Sequence, residues 1–292
     1  MKLGFAGLGL MGRPMASNIV QAGFPLAAYS RSAGPREALE RLGARTFGEA
    51  AELFDACDTV ILMLADDCST DAVLGRGTAG FGRQVRGKLI VNMGTHAPAW
   101  SKALETDLVA AGARFVEAPV SGSRGPAEAG ELVAMLAGDP NGIEQLRPLL
   151  THLCRETIAT GPVPSAMACK ISVNLYLIAS VAALAEGMAL AKKLGLDPDV
   201  FARVIGQGPL GSDVARAKLH KMIIRDFAPE ASIRDVCKNA CLVADTAATA
   251  KLDAQALGSA RRLFEGVLQG GGSELDMAGV ITAWDGEGKS DE

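Results

Sequence analysis

Several patterns are missing from this sequence, and each absence excludes a class of protein. The chain has 29 Lys+Arg against 33 Asp+Glu, a formal net charge of -4, and no run of basic residues. No nucleic-acid partner is therefore expected. The six cysteines form no C-x-x-C pair and there are only three histidines, so no metal site is expected. No leader-like segment opens the chain, which predicts a cytoplasmic protein with reduced thiols.

Long apolar runs are also scarce, with one exception at residues 171–191, ISVNLYLIASVAALAEGMALA. This run has about the length that a bilayer needs, but Asn174 and Glu186 interrupt it and lysines flank it. We therefore predict no membrane partner and instead a long helix over about 165–194, buried on most sides. At 1.5 Å per residue that helix is about 45 Å long, too long for a small helical domain to cover. A homodimer or homotetramer is therefore predicted.

Strand and helix patterns alternate through the first half of the chain. Residues 59–64 (TVILML) and 88–91 (KLIV) are continuous apolar runs, which are typical of strands covered on both faces. The other predicted strands are 2–6, 25–29, 114–118 and 132–136, and the predicted helices are 11–22, 35–42 and 100–111. This alternation predicts an α/β domain over 1–162, with a mostly parallel, doubly wound sheet.

The second half, 163–292, has a different pattern and predicts an all-helical domain. After the long helix, the predicted helices are 199–205, 214–224, 233–250 and 254–268. Between the long helix and the helix at 199–205, Gly195 suits a left-handed helix end and Pro198 suits the first turn of the next helix.

A glycine-rich stretch follows the first predicted strand directly: Gly7-Leu8-Gly9-Leu10-Met11-Gly12. In a strand–turn–helix context, Gly7 permits the tight turn, Gly9 lets the backbone approach a pyrophosphate, and Gly12 lets the helix pack closely on the strand. The helix N-terminus then offers unsatisfied N–H groups to the anion. The stretch predicts a dinucleotide site, with a tight turn alone as the alternative.

The end of the second predicted strand indicates which dinucleotide binds. It reads Ser30-Arg31-Ser32 after a tyrosine, without the acid that bonds a ribose 2′-hydroxyl in NAD sites. A guanidinium and two hydroxyls suit a 2′-phosphate, so NADP(H) is favoured over NAD(H), unless Arg31 is only a solvated surface charge. Met63 and Leu64, at the end of another strand, are also predicted to line the cofactor.

Four stretches in order carry a resemblance to a known family: FAGLGLMGRPMASNI (5–19), EAPVSGSRGPAEAGEL (117–132), CKISVN (169–174) and VCKNACLVAD (236–245). Over nearly its whole length the sequence resembles the β-hydroxyacid dehydrogenase family, and within it is similar to the glyoxylate and succinic semialdehyde reductases. The resemblance implies a Rossmann-like N-terminal domain, a long interdomain helix, a helical domain used for oligomerisation, and a cleft between the domains.

The resemblance also implies roles for particular residues. Lys170 matches the catalytic lysine and Asn174 its partner, while Ser121 and Gly122 begin the substrate loop. Two further residues, Thr95 and Lys238, match positions that line the cofactor and the cleft.

Chemistry alone supports part of this assignment. Lys170 and Asn174 are four apart and share one helix face, and a lysine ammonium stabilises and protonates an oxygen that gains charge during hydride transfer. The loop Ser121-Gly122-Ser123 offers N–H groups and hydroxyls to a substrate carboxylate. The alternatives are a snorkelling Lys170, a solvated Lys238 and a Ser121 that only makes a turn.

The predicted function is NADP(H)-dependent interconversion of a short aldehyde acid, such as glyoxylate or succinic semialdehyde, and its hydroxyacid, with Lys170 as general acid/base. A 3-hydroxyisobutyrate-type dehydrogenase and an imine reductase are alternative enzymes, although Lys170 argues against the imine reductase. A non-catalytic NADP-binding protein is the alternative of another class. We do not expect His96, beside Thr95, to be a catalyst.

Three residues depart from the family pattern: Asn239 follows Lys238 in place of an aspartate, Gly94 replaces a common serine, and Asp213 replaces a bulky apolar residue. The Asp213 carboxylate would disfavour an apolar substrate, because desolvating it is costly. Its replacement by leucine is therefore expected to shift preference, measured as kcat/KM ratios, away from polar or amine-bearing aldehydes and toward succinic semialdehyde. Unaltered ratios in Asp213→Leu would contradict this hypothesis.

Overall fold

The computed structural model describes residues 1–285, and the chain divides into two compact units. The first is Met1–Ile171 and the second begins at Ser172. The sequence analysis places the boundary at 162/163, just before the long helix, whereas the compact units divide inside that helix.

The first unit is built on one nine-stranded sheet. Its strands are β1 (Leu3–Ala6), β2 (Leu26–Tyr29), β3 (Arg45–Phe47), β4 (Thr59–Leu62), β5 (Leu89–Asn92), β6 (Arg114–Glu117), β7 (Val120–Ser121), β8 (Leu132–Gly138) and β9 (Cys154–Gly161). The strand order is β3-β2-β1-β4-β5-β6-β8-β7, and β9 pairs with β8. From β3 to β6 all neighbours are parallel. The predicted mostly parallel sheet is confirmed.

The far edge of the sheet breaks the parallel pattern. Strand β8 is antiparallel to both β6 and β7 and parallel to β9. The sequence analysis does not predict β3, β7 or β9, for two reasons. Strands β3 and β7 are too short to show a period, and β9 reads CRETIATG, with most of its side chains exposed or half-buried.

Helices cover the sheet on both faces, as predicted. They are α1 (Gly12–Gln21), α2 (Ala33–Glu40), α3 (Ala50–Ala56), α4 (Asp67–Leu74), α5 (Phe81–Val85), α6 (Pro98–Ala110), α7 (Arg124–Ala129) and α8 (Pro140–Leu150). One apolar cluster includes Met15 of α1 and Leu146 of α8; the other includes Phe54 of α3 and Leu104 of α6. Every residue of β1, β4 and β5 is buried between these layers, which explains their continuous apolar sequences.

The helices of the second unit match the predictions closely. The long helix α9 (Ser165–Lys193) begins in the first unit and continues into the second. It is followed by α10 (Pro198–Gln207), α11 (Asp213–Ile224), α12 (Ile233–Thr249), α13 (Gln255–Gln269) and a 3-10 helix (Met277–Trp284) that the sequence analysis does not predict. Gly195 has a φ of 75° and Pro198 opens α10, as expected. Up to Asp285 this unit contains no strand.

Helix α9 is less covered than the sequence analysis predicts. It is long and apolar enough to cross a membrane by length and composition, with a mean hydropathy of 1.7 over 18 residues, yet only 39% of that window is buried in the single chain. Tyr176 is 75% exposed and Leu190 58% exposed. The prediction that α9 is buried on most sides is therefore wrong for one chain on its own.

A buried ion pair holds the 3-10 helix in the second unit. The Lys218 ammonium donates to both carboxylate oxygens of Asp276, at 2.8 and 3.1 Å, and the amides of Glu230 and Ala278 also donate to this carboxylate. Burial alone would raise the pKa of Asp276, but Lys218 and these amides bring it below its usual range. Lys218 is only 4% exposed, so the pair is part of the core.

Candidate cofactor and active site

The carboxyl ends of the parallel strands meet at one edge of the first unit. Hydrogen bonds continue from strand to strand just past these ends: the Gly7 amide donates to Tyr29 O at 3.0 Å and the Met63 amide to Ala6 O at 2.9 Å. The order β3-β2-β1-β4-β5-β6 is that of dinucleotide-binding sheets, which bind their ligand at this edge, where the order reverses between β1 and β4. The structure thus brings the predicted cofactor residues of the first unit together.

The three glycines of the first turn have different surroundings. Gly7 has a φ of 103°, and a Cβ there would overlap Met63 O. A Cβ at Gly12 would overlap Gly7 O and lie 3.1 Å from the Phe5 ring. At Gly9, an added Cβ meets no atom of the described chain within 4 Å. Gly7 and Gly12 are therefore needed by the fold, and Gly9 leaves open space where a ligand can approach, so this turn fits a dinucleotide.

The apolar residues of this turn have different exposures. Leu8 is buried in the core, Met11 is half-buried just before α1, and Leu10 is exposed. Leu8 thus anchors the turn by packing.

The loop after β2 carries the residues predicted to choose the cofactor. Arg31 and Ser32 are exposed and Ser30 is half-buried. Arg36, on α2, donates from one guanidinium nitrogen to Ser30 O at 2.6 Å and to Arg31 O at 3.2 Å. Sequence reasoning missed Arg36, which holds the backbone of this loop and leaves the Arg31 side chain exposed.

The ends of β4 and β5 approach each other closely. Met63 and Leu64 are half-buried, as is Thr95. A Cβ at Gly94 would lie 2.8 Å from both Leu64 O and His96 Nε2, which explains why this chain has glycine at 94.

His96 is fully buried and paired. Its Nδ1 is 2.6 Å from Asp67 Oδ1, and its ring stacks on Trp100 with a centroid distance of 4.3 Å. Among the described residues, its Nε2 has no hydrogen-bond partner. His96 therefore joins α4 to α6 through its contacts with Asp67 and Trp100.

The predicted substrate loop is a sharp turn. Ser121 pairs with Val133 in the sheet, and Ser123 precedes α7. Between them Gly122 has a φ of 133°, and a Cβ there would lie 2.6 Å from the Leu132 side chain. Only glycine gives this turn without strain. The neighbouring Arg124 pairs with Glu128 at 2.7 Å.

Lys170 belongs to the first unit and lies near the start of α9. It is 8% exposed, and desolvation by this burial lowers its pKa from 10.5 to about 8, although the neighbouring Cys169 acts in the opposite direction. Strongly shifted lysines are typical of functional sites, because burying an ammonium is costly. A snorkelling surface lysine does not fit this burial.

The remaining predicted residues belong to the second unit. Asn174, one turn beyond Lys170 on α9, is 4% exposed. Asp213 opens α11 with a side chain that is 79% exposed and pairs with Arg216 at 2.7 Å. Lys238 is exposed on α12. Their predicted roles stay predictions.

Two buried polar residues at the sheet edge are additions to the predicted site. Asn92 and Glu117 are both 0% exposed, and they are paired in register at the ends of β5 and β6. Asn92 Oδ1 accepts from the Gly94 amide at 3.1 Å. In the sequence, these two residues could have been found as an amide and an acid that end apolar strand segments. Such a group must find hydrogen-bond partners when it is buried.

Within residues 1–285, no group of three or more His, Cys, Asp or Glu is placed to hold a metal ion.

Comparisons with known proteins extend over both units. The family model for the NAD binding domain of 6-phosphogluconate dehydrogenase matches residues 2–161. The model for the NAD-binding of NADP-dependent 3-hydroxyisobutyrate dehydrogenase matches residues 165–284. Together with the glycine turn and the sheet order, these matches define an NAD(P)-dependent oxidoreductase of two domains.

Individual relatives agree with this class. The chain is 32% identical to glyoxylate/succinic semialdehyde reductase 2 of Arabidopsis thaliana, over 97% of this chain and 79% of the relative. It is 29% identical to 2-hydroxy-3-oxopropionate reductase of Escherichia coli, over 97% of each. The solved structure of 3-hydroxyisobutyrate dehydrogenase from Salmonella typhimurium superposes with a TM-score of 0.86 at 25% identity, covering 96% of this chain and 98% of that one. The chain belongs to the β-hydroxyacid dehydrogenase family.

The different surroundings of the glycines give a matched pair of variants. Gly9→Ala is expected to keep the melting temperature of the ligand-free protein within about 2 °C, because the new Cβ meets open space, and to weaken NADPH binding at least about tenfold by obstructing the pyrophosphate. Gly12→Ala is expected to lower the melting temperature as well, because its Cβ overlaps Gly7 O. Calorimetry and fluorescence titration measure both; unchanged NADPH affinity in Gly9→Ala would contradict this assignment.

Proposed function

We propose that this protein is an NADPH-dependent reductase of short aldehyde acids, reversible as a hydroxyacid dehydrogenase. The observation that carries the proposal is the buried Lys170, whose pKa is lowered to about 8, in the same unit as the dinucleotide turn. The names of the relatives, which are reductases of glyoxylate, succinic semialdehyde and 2-hydroxy-3-oxopropionate, support this substrate class.

Lys170 is assigned as the general acid. When bound, NADPH supplies a hydride to the aldehyde carbon, and the carbonyl oxygen then gains charge. Lys170 holds a proton on Nζ below a pH of about 8, donates a hydrogen bond to this oxygen and transfers the proton to it. In the reverse direction, neutral Lys170 accepts the hydroxyl proton. Asn174 is assigned to orient Lys170 or to bond the hydroxyl.

The turn at Ser121-Gly122-Ser123 is assigned to the substrate carboxylate. Its left-handed glycine and two hydroxyl side chains support this role, because successive backbone N–H groups in such turns bind anions. Arg124 is already paired with Glu128, so the backbone and hydroxyls are the proposed carboxylate donors.

NADP(H) is the proposed cofactor, in preference to NAD(H). The exposed Arg31 supports this preference, because its guanidinium can make two hydrogen bonds to a phosphate. Met63, Leu64, Thr95 and Lys238 are assigned to line the cofactor.

The first experiment measures NADPH consumption with glyoxylate, succinic semialdehyde, tartronate semialdehyde and methylmalonate semialdehyde. We expect turnover of at least one, with kcat/KM level below pH 8 and falling about tenfold per pH unit above it, because neutral Lys170 cannot donate a proton. In Lys170→Ala, kcat/KM is expected to be at least about 100-fold lower and to show no such decrease above pH 8.

The control for this experiment is Lys192→Ala, which removes an exposed lysine of the same helix and is expected to keep full activity. Turnover of none of the four substrates, or a Lys170→Ala variant with near-normal activity, would overturn the proposed function and favour a non-catalytic NADP-binding protein or an imine reductase.

A second experiment tests the cofactor preference. Arg31→Ala is expected to weaken NADPH binding about 10- to 100-fold and to leave NADH binding within about twofold, because only NADPH carries the 2′-phosphate. Isothermal titration with both cofactors measures this. Arg41→Ala, at the exposed end of α2, is the control; equal losses for NADPH and NADH in Arg31→Ala would rule out the preference.

We further propose that the chain forms a homodimer or homotetramer through the second unit. Helix α10 has no buried residue, and its Val204 is 67% exposed, so the helix lacks a covered apolar face. Val204→Glu is expected to dissociate the oligomer in light scattering, because an interface would bury the new charge. Glu274→Lys, at an exposed position, is the control; a monomeric wild type contradicts the proposal.

The proposed environment of the protein is the cytoplasm, with a soluble small-molecule substrate and neither nucleic acid nor membrane as partner. The six free cysteines support a reducing compartment. A tagged protein that fractionates with membranes would contradict this.

A further inference from the structure

Glu117 lies where the end of β6, helix α6 and the start of α9 meet. It is the last residue of β6, four residues before Ser121 of the predicted substrate loop. One carboxylate oxygen accepts from the Ser101 hydroxyl on α6. The other accepts from the amides of Ala166 and Met167, at 3.2 and 3.3 Å, in the first turn of α9.

The carboxylate of Glu117 is costly to bury and therefore needs these partners. It is 0% exposed, and burial raises its pKa although Ser101 and the two amides act in the opposite direction. The first amides of a helix have no partner within the helix and carry partial positive charge. Glu117 therefore accepts hydrogen bonds from amides that have no partner within α9, and these amides in turn stabilise the buried carboxylate. Both carboxylate oxygens are engaged, so Glu117 is placed to hold structure and not to transfer a proton.

Lys170 follows directly from this anchored turn. It is four residues after Ala166 and three after Met167, so one turn of helix separates the anchor from the lysine. A displacement of the first turn moves Lys170 by a similar amount, and errors of about 1 Å in such positions can cost about 100-fold in rate. Ala166 and Met167 are 0% exposed and Lys170 is 8% exposed, so displacing the first turn would open the packing at the start of the helix that carries Lys170.

We propose that Glu117 is a positioning residue: its carboxylate fixes the first turn of α9 and so sets the place and the burial of Lys170. The kinetic part of this inference rests on the proposed function, but the structural part does not. Glu117 thus supports the candidate catalytic residue from the sheet.

Two variants of similar shape test the role of the acceptor oxygens. Glu117→Gln keeps a carbonyl oxygen for the amides of Ala166 and Met167, whereas Glu117→Met fills the same space and offers no acceptor. Each full-length protein is treated with an amine-acylating reagent, and the rate of Lys170 modification is followed by peptide mass spectrometry. Lys218, buried in the second unit, is the internal control.

Glu117→Met is expected to raise the rate of Lys170 acylation at least about fivefold and to leave Lys218 unchanged. Its kcat is expected to fall about 10- to 100-fold with NADPH affinity within about twofold of wild type. Glu117→Gln is expected to stay within about threefold of wild type in both readouts. A purely structural role would lower stability and NADPH binding together, without this separation of kcat from cofactor affinity.

The outcomes separate this inference from the proposed function. If no aldehyde acid is reduced but the acylation pattern is as expected, the proposed function fails and the role of Glu117 stands. Wild-type acylation and kcat in a folded Glu117→Met overturn the inference. Faster acylation of Lys218 would reveal that Glu117→Met does not fold. In that case Glu117→Gln decides the question. If Lys170 in Glu117→Gln is acylated more than about threefold faster than in wild type, the inference is overturned.

Discussion

The close approach of the first helix to the first strand is the constraint on which the candidate cofactor site depends, at the edge where the carboxyl ends of the parallel strands meet. Gly12 packs against the carbonyl of Gly7 with no room for a Cβ, and Gly7 in turn contacts the end of β4. This packing directs the N-terminus of α1 toward the carboxyl edge, where the ends of the other parallel strands already lie. The position of the glycine turn is thus determined by backbone contacts that leave no room for a side chain at Gly7 or Gly12.

Buried polar groups then organise the loops at that edge. Asn92 turns back to the Gly94 amide, His96 pairs with Asp67, and Glu117 joins α6 to the start of α9. Each of these groups would be costly to bury alone, so each draws a neighbouring loop or helix toward it. Lys170 differs from them, because its burial lowers its pKa to about 8 and leaves its ammonium ready to lose a proton.

Much of this architecture could be predicted from the sequence because the signals are local. Continuous apolar runs identify β4 and β5, and Gly195 and Pro198 identify the end of one helix and the start of the next. The exposed strand β9 and the two-residue β7 could not be predicted, because their pairing with β8 comes from residues distant in sequence. The predicted burial of α9 on most sides was wrong for the single chain, because an apolar composition does not say which molecule covers it.

For the candidate site, motifs predicted the glycine turn, Lys170 and the Ser121 loop, but they gave no sign of Glu117 or Arg36. The roles of Glu117 and Arg36 depend on amides and carbonyls that the fold brings to them, and a side chain in a sequence does not reveal those partners. Gly94 looked like a departure from the family and has a steric reason, the proximity of His96 Nε2 and Leu64 O.

The hydrogen bonds from Arg36 to the loop after β2 matter for redesign of this protein. These two hydrogen bonds reach the main-chain carbonyls of Ser30 and Arg31 and use neither side chain. An engineer can therefore exchange the side chains at 30, 31 and 32, including for an acid, while the loop keeps its anchored backbone. The side chains that this loop presents are in this sense separable from the backbone framework that carries them.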